Sequence, residues 1–265
     1  MSAYIDLHNH ILPAIDDGPR TMEEAVKLSR ELVKAGYGTV VATPHSGGGR
    51  PTPELILERI EALQKELDRQ NIPLKLLSGA EQHIEPGVLE LLKQDKILTL
   101  NRSAYLLLEL PMFQPLPLYT EQVLFTLAAS GYRPVIPHPE RVIALQLNHQ
   151  MLFKLHRAGA IYQVTWAAFS GKLGPAAGKT ARFMLHSNLV HLLATDAHPP
   201  GSPQLTVAEA ADYLDCEMGE GYSEFMLTTR PRLLLDNKPL DLPEPVLPGR
   251  RPPRRVPFLS RLFRA

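Results

Sequence analysis

The sequence predicts an α/β barrel, closed or nearly closed, built on one parallel sheet. Three observations predict it. Seven short apolar runs alternate with amphipathic stretches, the pattern of strands joined by helical crossovers. The 265 residues are a length at which a single barrel is routine. No Gly-x-Gly-x-x-Gly follows the first run, so a dinucleotide-binding open sheet loses its main support.

The apolar runs are Tyr4–Leu7, Thr39–Ala42, Leu74–Leu77, Tyr105–Leu108, Pro134–Ile136, Ile161–Val164 and Leu189–Ala194. Between the first two lies a helix over Met22–Lys34, with Thr21 as its cap and Gly36 as its stop. Helices are also predicted over Pro53–Arg69, Leu118–Ala129 and Gln150–Arg157, the last ended by Ala158-Gly159. No internal repeat is present. Residues 1–240 read as one domain and 241–265 as a Pro/Arg-rich tail. Eight of the 25 prolines follow Thr229, and Gly249–Ala265 carries six arginines and no acid.

Composition excludes several classes of protein. Basic and acidic residues number 28 each, and without the six tail arginines 22 bases face 28 acids. The chain therefore offers no basic groove for nucleic acid. No run of 18 apolar residues exists to span a membrane, and Met1–Asp6 lacks an export region. A cytoplasmic protein is expected. The single Cys216 excludes an internal disulfide and a multi-cysteine zinc site. Position 222, six residues on, is Tyr222 rather than the arginine of a cysteine-phosphatase loop, so Cys216 reads as inert.

The chemistry collects at the ends of the strands. The first run ends in Asp6-Leu7-His8-Asn9-His10, and alternation places Asp6, His8 and His10 on one face. Alone, this motif reads equally as a metal pincer or as two solvated histidines. The other strands decide: they end in Thr43-Pro44-His45, Gly79-Ala80-Glu81, Leu108-Glu109-Leu110, His138-Pro139-Glu140-Arg141 and Thr195-Asp196-Ala197-His198. Six of seven strands thus deliver a His or a carboxylate where barrel enzymes build their sites. Nitrogen and oxygen ligands without thiolate suit Zn²⁺, Mn²⁺ or Fe²⁺. The ligands exceed what one ion needs, so a carboxylate should bridge ions that together clamp an anionic transition state, as in phosphate-ester hydrolysis.

These residues, with Asp16-Asp17-Gly18-Pro19, resemble the polymerase-and-histidinol-phosphatase (PHP) superfamily. Within it the pattern is similar to the protein-tyrosine phosphatases of bacterial capsule and exopolysaccharide clusters. The motifs Asp6–Pro13, Thr43-Pro44-His45, Gly79-Ala80-Glu81 and His138–Arg141 carry the likeness, which runs from Tyr4 to Asn237. The resemblance implies a distorted (β/α)₇ barrel with two or three ions, manganese before zinc or iron. His8, His10, Glu81 and Asp196 would hold the first ion, and Glu81 would bridge to a second held by Glu109 and His138. Asp17, chosen over Asp16 by the resemblance alone, would hold a third ion with His45 and His198. Arg141 would bind the substrate phosphate through its planar fork. Asp6 and Glu140 are candidate partners of the ligating histidines. One departure concerns the stretch Asp196–Gln204, which lacks the family's usual second arginine. Arg50, after Gly47–Gly49, is the candidate substitute, weighed against a solvent-loop role.

The expected activity is metal-dependent hydrolysis of phosphotyrosine in protein. The resemblance implies as substrate the tyrosine-rich tail of a membrane-associated bacterial autokinase that controls polysaccharide export. The rivals are a small-molecule phosphatase, such as one for histidinol phosphate, and a metal-binding scaffold without turnover. In the tail, Phe258, Leu259, Leu262 and Phe263 gather on one face of a short helix over Phe258–Arg264, which with the arginines suits an anionic membrane. His149, His156 and His186 read as surface residues, His191 as packed mid-strand, and His83 as a residue on the rim of the site.

Overall fold

The computed structural model describes residues 3–48, 51–199 and 207–247, and Arg50 and the arginine-rich tail lie outside these residues. The first half runs β1 (Tyr4–Asn9), α1 (Met22–Lys34), β2 (Tyr37–Ala42), β3 (His45–Ser46), α2 (Pro53–Arg69), β4 (Lys75–Ser78), β5 (Glu81–His83), α3 (Val88–Lys93) and β6 (Tyr105–Glu109). The second half continues with α4 (Thr120–Ala129), β7 (Arg133–Pro137), α5 (Ile143–Leu147), α6 (Gln150–Arg157), β8 (Ile161–Thr165), α7 (Pro175–His186), β9 (Leu192–Ala194) and α8 (Val207–Met218). A π-helical turn over Phe225–Thr229 joins the short α9 (Tyr222–Glu224) to α10 (Arg230–Leu235).

Local sequence chemistry sets the helix limits. Thr21 accepts a hydrogen bond from the Glu24 backbone N–H at 3.3 Å, and Glu23 and Glu24 complement the positive end of α1. Gly36 then takes φ of +98°, a conformation that ends the helix without a Cβ penalty. Thr52 and Pro53 open α2 in the same way. Several predicted boundaries move by a residue or more, and specific bonds explain two of the shifts. Helix α4 begins at Thr120 rather than Leu118, because the Thr120 N–H and hydroxyl both bond back to the Pro117 carbonyl. The last strand begins at Leu192 rather than Leu189. The Leu189 N–H is used to terminate α7 on the Met184 carbonyl, and Asn188 turns left-handed at φ +58°.

Among the described residues every strand pairing is parallel. The ladder is split into a three-stranded sheet, β1-β2-β4, and a six-stranded sheet, β3-β5-β6-β7-β8-β9. Two of the seven predicted strands are broken by their own sequence. Thr43-Pro44 separates β2 from β3, and Gly79-Ala80 separates β4 from β5. At the first break the chain changes partner: the Thr43 N–H bonds to the Asn9 carbonyl, whereas the Pro44 carbonyl accepts from the Glu81 N–H. Proline suits such a point because it has no N–H to leave unpaired. At the second, a Cβ on Gly79 would lie 2.8 Å from Val41 Cγ1, so only glycine permits the approach. The first and last strands meet through an Asn9–Ala197 bridge, with His10 N–H to Ala197 O at 2.9 Å.

Alternation along the strands divides the core. Ile5, Leu7, Leu107, Val135, Ile161 and Leu192 pack into one cluster with Leu234 and Leu235 of α10. Their neighbours Val40, Leu76, Leu106, Leu108, Ile136 and Tyr162 face the helices. Burial of each such side chain contributes about 1.5–3 kcal/mol. Residues 241–247, placed in the tail by composition, are hydrogen-bonded to the fold through Val246 N–H to Ser187 O and Asn188 Nδ2 to Glu244 O.

His191, buried just ahead of β9 rather than within it, takes the place of a backbone acceptor: its Nδ1 receives the Tyr162 N–H at 2.9 Å. Burial first, then the nearby His156 and Arg230, holds its pKa well below the ordinary value. A depressed histidine pKa means that the unfolded chain binds the extra proton, so stability is lost as pH falls below about 6.5. We expect denaturant unfolding of His191→Gln to lose about 2 kcal/mol less than the parent between pH 7.5 and pH 5. Equal losses would show that His191 titrates alike in both states.

Candidate metal centre

The parallel sheet places its C-terminal strand ends together, and this is where the predicted residues meet. His8 and His10 stand with their Nε2 atoms 3.2 Å apart. Glu81 Oε2 lies 3.3 Å from each of them and 3.0 Å from His45 Nδ1, and its Oε1 lies 2.8 Å from His138 Nε2. Asp196 Oδ1 is 3.3 Å from His8 Nε2. At the mouth, Asp17 Oδ1 lies 3.6 Å from His45 Nε2 and 3.4 Å from His198 Nε2. Four overlapping groups result among the described residues: His8, His10 and Glu81; Glu81, Glu109 and His138; His10, Asp17, His45 and His198; and His45, His83 and Glu109. The structure therefore brings together all nine predicted ligands.

The outer atoms of His8 and His10 are fixed by Gln163, which the sequence did not single out, and by Asp16, singled out only as the alternative to Asp17. His8 Nδ1–H donates to Gln163 Oε1 at 2.7 Å, and His10 Nδ1–H to Asp16 Oδ2 at 2.7 Å. A neutral imidazole that donates from Nδ1 presents its lone pair at Nε2. Both lone pairs thus point at the carboxylates of Glu81 and Asp196, an arrangement repulsive without a cation between them. Glu81 Oε2 and Glu109 Oε2 are buried with no N–H aligned on them. Five carboxylates (Asp16, Asp17, Glu81, Glu109 and Asp196) gather here, and among the described residues one guanidinium, that of Arg141, pairs with one of them, Asp196. Such a donor set fits divalent cations. Burial opposes charge on His8, yet Glu81 and Asp196 outweigh it and hold the imidazole up at about 9, so a proton takes the place between these groups when no metal cation does.

Asp16 and Asp17 divide the work. The Asp16 carboxylate is only 5 % exposed and also accepts from the Gly18 and His45 backbone N–H groups, so it braces the His10 imidazole against the backbone of His45. Asp17, 61 % exposed, is the one that reaches His45 and His198. Gly18 makes the turn possible, since a Cβ there would lie 2.2 Å from the His10 carbonyl oxygen. Two residues at strand ends adopt the left-handed region, His138 at φ +36° and Asp196 at φ +52°. Such strain persists where packing overdetermines it, commonly at functional sites.

Several expectations are corrected. A register shift in β1 between Asp6 and Asn9 breaks the strict alternation that placed Asp6 with the histidines. The Asp6 carboxylate instead accepts from Asn9 Nδ2 and from the N–H and hydroxyl of Thr195, tying the first strand to the last. Glu140 likewise touches no imidazole and accepts from the Thr165 N–H. His83 is at the rim as expected but also engages the site, its Nδ1 2.8 Å from Glu109 Oε2. Arg141, 28 % exposed, sets Nη1 2.5 Å from Asp196 Oδ2. His149 and His156 are half-buried rather than superficial, the first stacked on Phe183. Cys216 is a free, exposed thiol, and no helix among the described residues is long and apolar enough to cross a membrane.

The tautomer-fixing bonds generate a test. Gln163→Leu should lower divalent-metal affinity about 10–100-fold, the usual effect of removing a hydrogen-bond partner of a metal-binding histidine. Glu81→Ala, which removes a group shared by two clusters, should strip more metal than any other single change. Elemental analysis after dialysis measures both, and a Glu81→Ala protein with full metal content would refute the shared position.

The capsular polysaccharide synthesis CpsB/CapC family model matches residues 4–236. The tyrosine-protein phosphatase YwqE of Bacillus subtilis is 35 % identical over 246 residues, 91 % of this chain and 96 % of YwqE. The tyrosine-protein phosphatase CpsB of Streptococcus pneumoniae is 31 % identical over 239 residues, covering 87 % of this chain and 98 % of CpsB. Among solved structures, one of those of YwqE and S. pneumoniae CpsB, described as unique metal-dependent tyrosine phosphatases, superposes with a TM-score of 0.86. That match is 35 % identical and covers 92 % of this chain and 99 % of the other. With the strand-end cluster and a family match over nearly all of its described length, the chain belongs to the CpsB/CapC capsular polysaccharide synthesis family.

Proposed function

We propose that this chain is a divalent-metal-dependent protein-tyrosine phosphatase, with Mn²⁺ as the native ion. Its substrate would be a phosphotyrosine protein, by the family's place in capsule synthesis the tail of a membrane-associated tyrosine kinase, and it would act in the cytoplasm. The observation that carries the reading is the convergence of inward lone pairs on Glu81 at the floor of a solvent-open cleft. We also read the two sheets as one distorted (β/α)₇ barrel spanning residues 1–240, supported by the bridge from Asn9 to Ala197.

In this reading His8, His10, Glu81 and Asp196 hold one ion, Glu81, Glu109 and His138 a second, and Asp17, His45 and His198 a third. Bound there, divalent ions lower the pKa of water and neutralise charge on the transferring phosphoryl group. The protein's own part is positioning. Asp196 uses one of the five guanidinium N–H donors of Arg141, leaving others for phosphate oxygens. Gln163 and Asp16 keep His8 and His10 in a single tautomer. A cleft of about 780 Å³ beside Asp17 and His45 is lined by Ile15, Pro51, Thr52 and Leu55, a wall suited to the ring of phosphotyrosine. Its open mouth admits a side chain carried on a protein, which favours that substrate over histidinol phosphate. Arg50 remains the proposed stand-in for the missing second arginine.

Exhaustive chelation should abolish hydrolysis of a phosphotyrosine peptide, Mn²⁺ should restore it, and iodoacetamide should leave it unchanged. Arg141→Ala should keep its metal and lose about 10–100-fold in kcat/KM, the loss of a charge-assisted hydrogen bond worth about 1.5–3 kcal/mol. Activity that survives chelation, or faster turnover of histidinol phosphate than of the peptide, would overturn the assignment. The six tail arginines and their apolar neighbours are proposed to contact anionic lipid. Truncation after Leu247 should weaken binding to phosphatidylserine vesicles while sparing hydrolysis of a small aryl phosphate, and equal vesicle binding would dismiss the contact.

A further inference from the structure

His83 lies outside the nine-residue set, yet the sheet delivers it to the same opening. On β5, Glu81 and His83 are two residues apart and so share a face, Glu81 at depth and His83 at the rim. Parallel register sets His45 opposite Glu81 and His83 opposite Glu109. The side chains follow that register. His83 Nδ1 is 2.8 Å from Glu109 Oε2, and the His83 and His45 rings are stacked, 5.9 Å apart and 4° from parallel. Nδ1 of His45 lies 3.7 Å from the same Glu109 oxygen. Glu109 Oε2 is buried, and no N–H is aligned on it in hydrogen-bond geometry, as for atoms that face a shared point rather than each other. Gly47 seats the ring from below, where a Cβ would lie 3.0 Å from His83 Cδ2.

We propose that His83, Glu109 and Nδ1 of His45 form a rim site for one further divalent cation, of the kind imidazole prefers, such as Zn²⁺. The site rests on the metal-centre reading above but is separate from its three positions. The residues offer one ligand group within reach of a single ion, and two imidazoles with one carboxylate form a zinc-type set that leaves a position open. Glu109 can serve both sides, because Oε1 faces His138 while Oε2 faces the rim. His45 cannot. A neutral imidazole has one lone pair, and His45 Nε2 faces Asp17 while Nδ1 lies 3.0 Å from the interior Glu81 Oε2 and 3.7 Å from the rim oxygen of Glu109. An ion held on Nδ1 therefore withdraws His45 from Asp17 and His198, so rim occupancy inhibits the enzyme. His83 is 61 % exposed, which leaves the rim ion exchangeable with the medium.

The test uses the full-length, Mn²⁺-loaded protein equilibrated against Zn²⁺, with bound metals counted by elemental analysis. Wild type should hold one more zinc per chain than His83→Ala or His83→Phe, the two variants keeping the manganese content of wild type before zinc is added. The zinc concentration that halves phosphotyrosine-peptide hydrolysis should rise about tenfold or more in both variants. Equal zinc counts in wild type and variants would overturn the rim site while leaving the interior centre intact. A lower count with unchanged inhibition would overturn the competition for His45. A wild-type protein that retains neither metal would overturn the metal-centre reading itself, and the rim site with it.

Discussion

Buried acceptors without donors govern this structure. Glu81, fully buried, sets its two oxygens against four imidazole nitrogens, and the lone pairs of His8 and His10 are aimed inward because their other nitrogens are already donating. Carboxylates taken out of water cost several kcal/mol each unless positive charge answers them. Among the described residues one guanidinium, that of Arg141, pairs with a carboxylate of the cluster, Asp196. The rest of the molecule can be understood as the scaffold that holds these groups at this spacing against their mutual repulsion, and cations are the natural relief.

The scaffold succeeds because its stiff parts lie directly beneath the site. Ile5, Leu7, Leu107, Val135 and Leu192 form an apolar plug on which the strand ends rest, closed from the far side by Leu234 and Leu235. Bonds between non-adjacent segments then lock the ends to one another. Asp6 clamps Thr195 and Asn9, while Asp16 joins the His10 ring to the backbone of His45. The strand breaks at Thr43-Pro44 and Gly79-Ala80 let two strands change partners just before they deliver His45 and Glu81. The left-handed turns at His138 and Asp196 reverse the backbone as it leaves the sheet. The sheet's continuity is interrupted where the chemistry is placed, and the cost of that strain is met by the packed plug below.

Motifs whose meaning lies in near neighbours could be read directly. Thr21 announces helix α1 because a cap acts over three residues, and the helix begins where the cap places it. The ligand types were legible for a related reason: an apolar run ending in His or Glu is unusual, and six such endings in one chain point to a shared centre. The same local logic failed where a tertiary bond intervened. Nothing near Leu189 shows that its N–H will finish a helix, or that the His191 ring will replace a strand carbonyl.

The sequence by itself determined the alternation of strands and helices and which side chains stand at the strand ends. It did so because propensity, capping and periodicity act within a few residues along the chain. Only the tertiary structure decided that Gln163 and Asp16 orient the histidines, that Asp6 is a clamp rather than their partner, and that His83 reaches Glu109. Those outcomes depend on register between strands distant in sequence. Gln163 and His8 are 155 residues apart, and a one-residue slip in either strand would turn the contact to the opposite face.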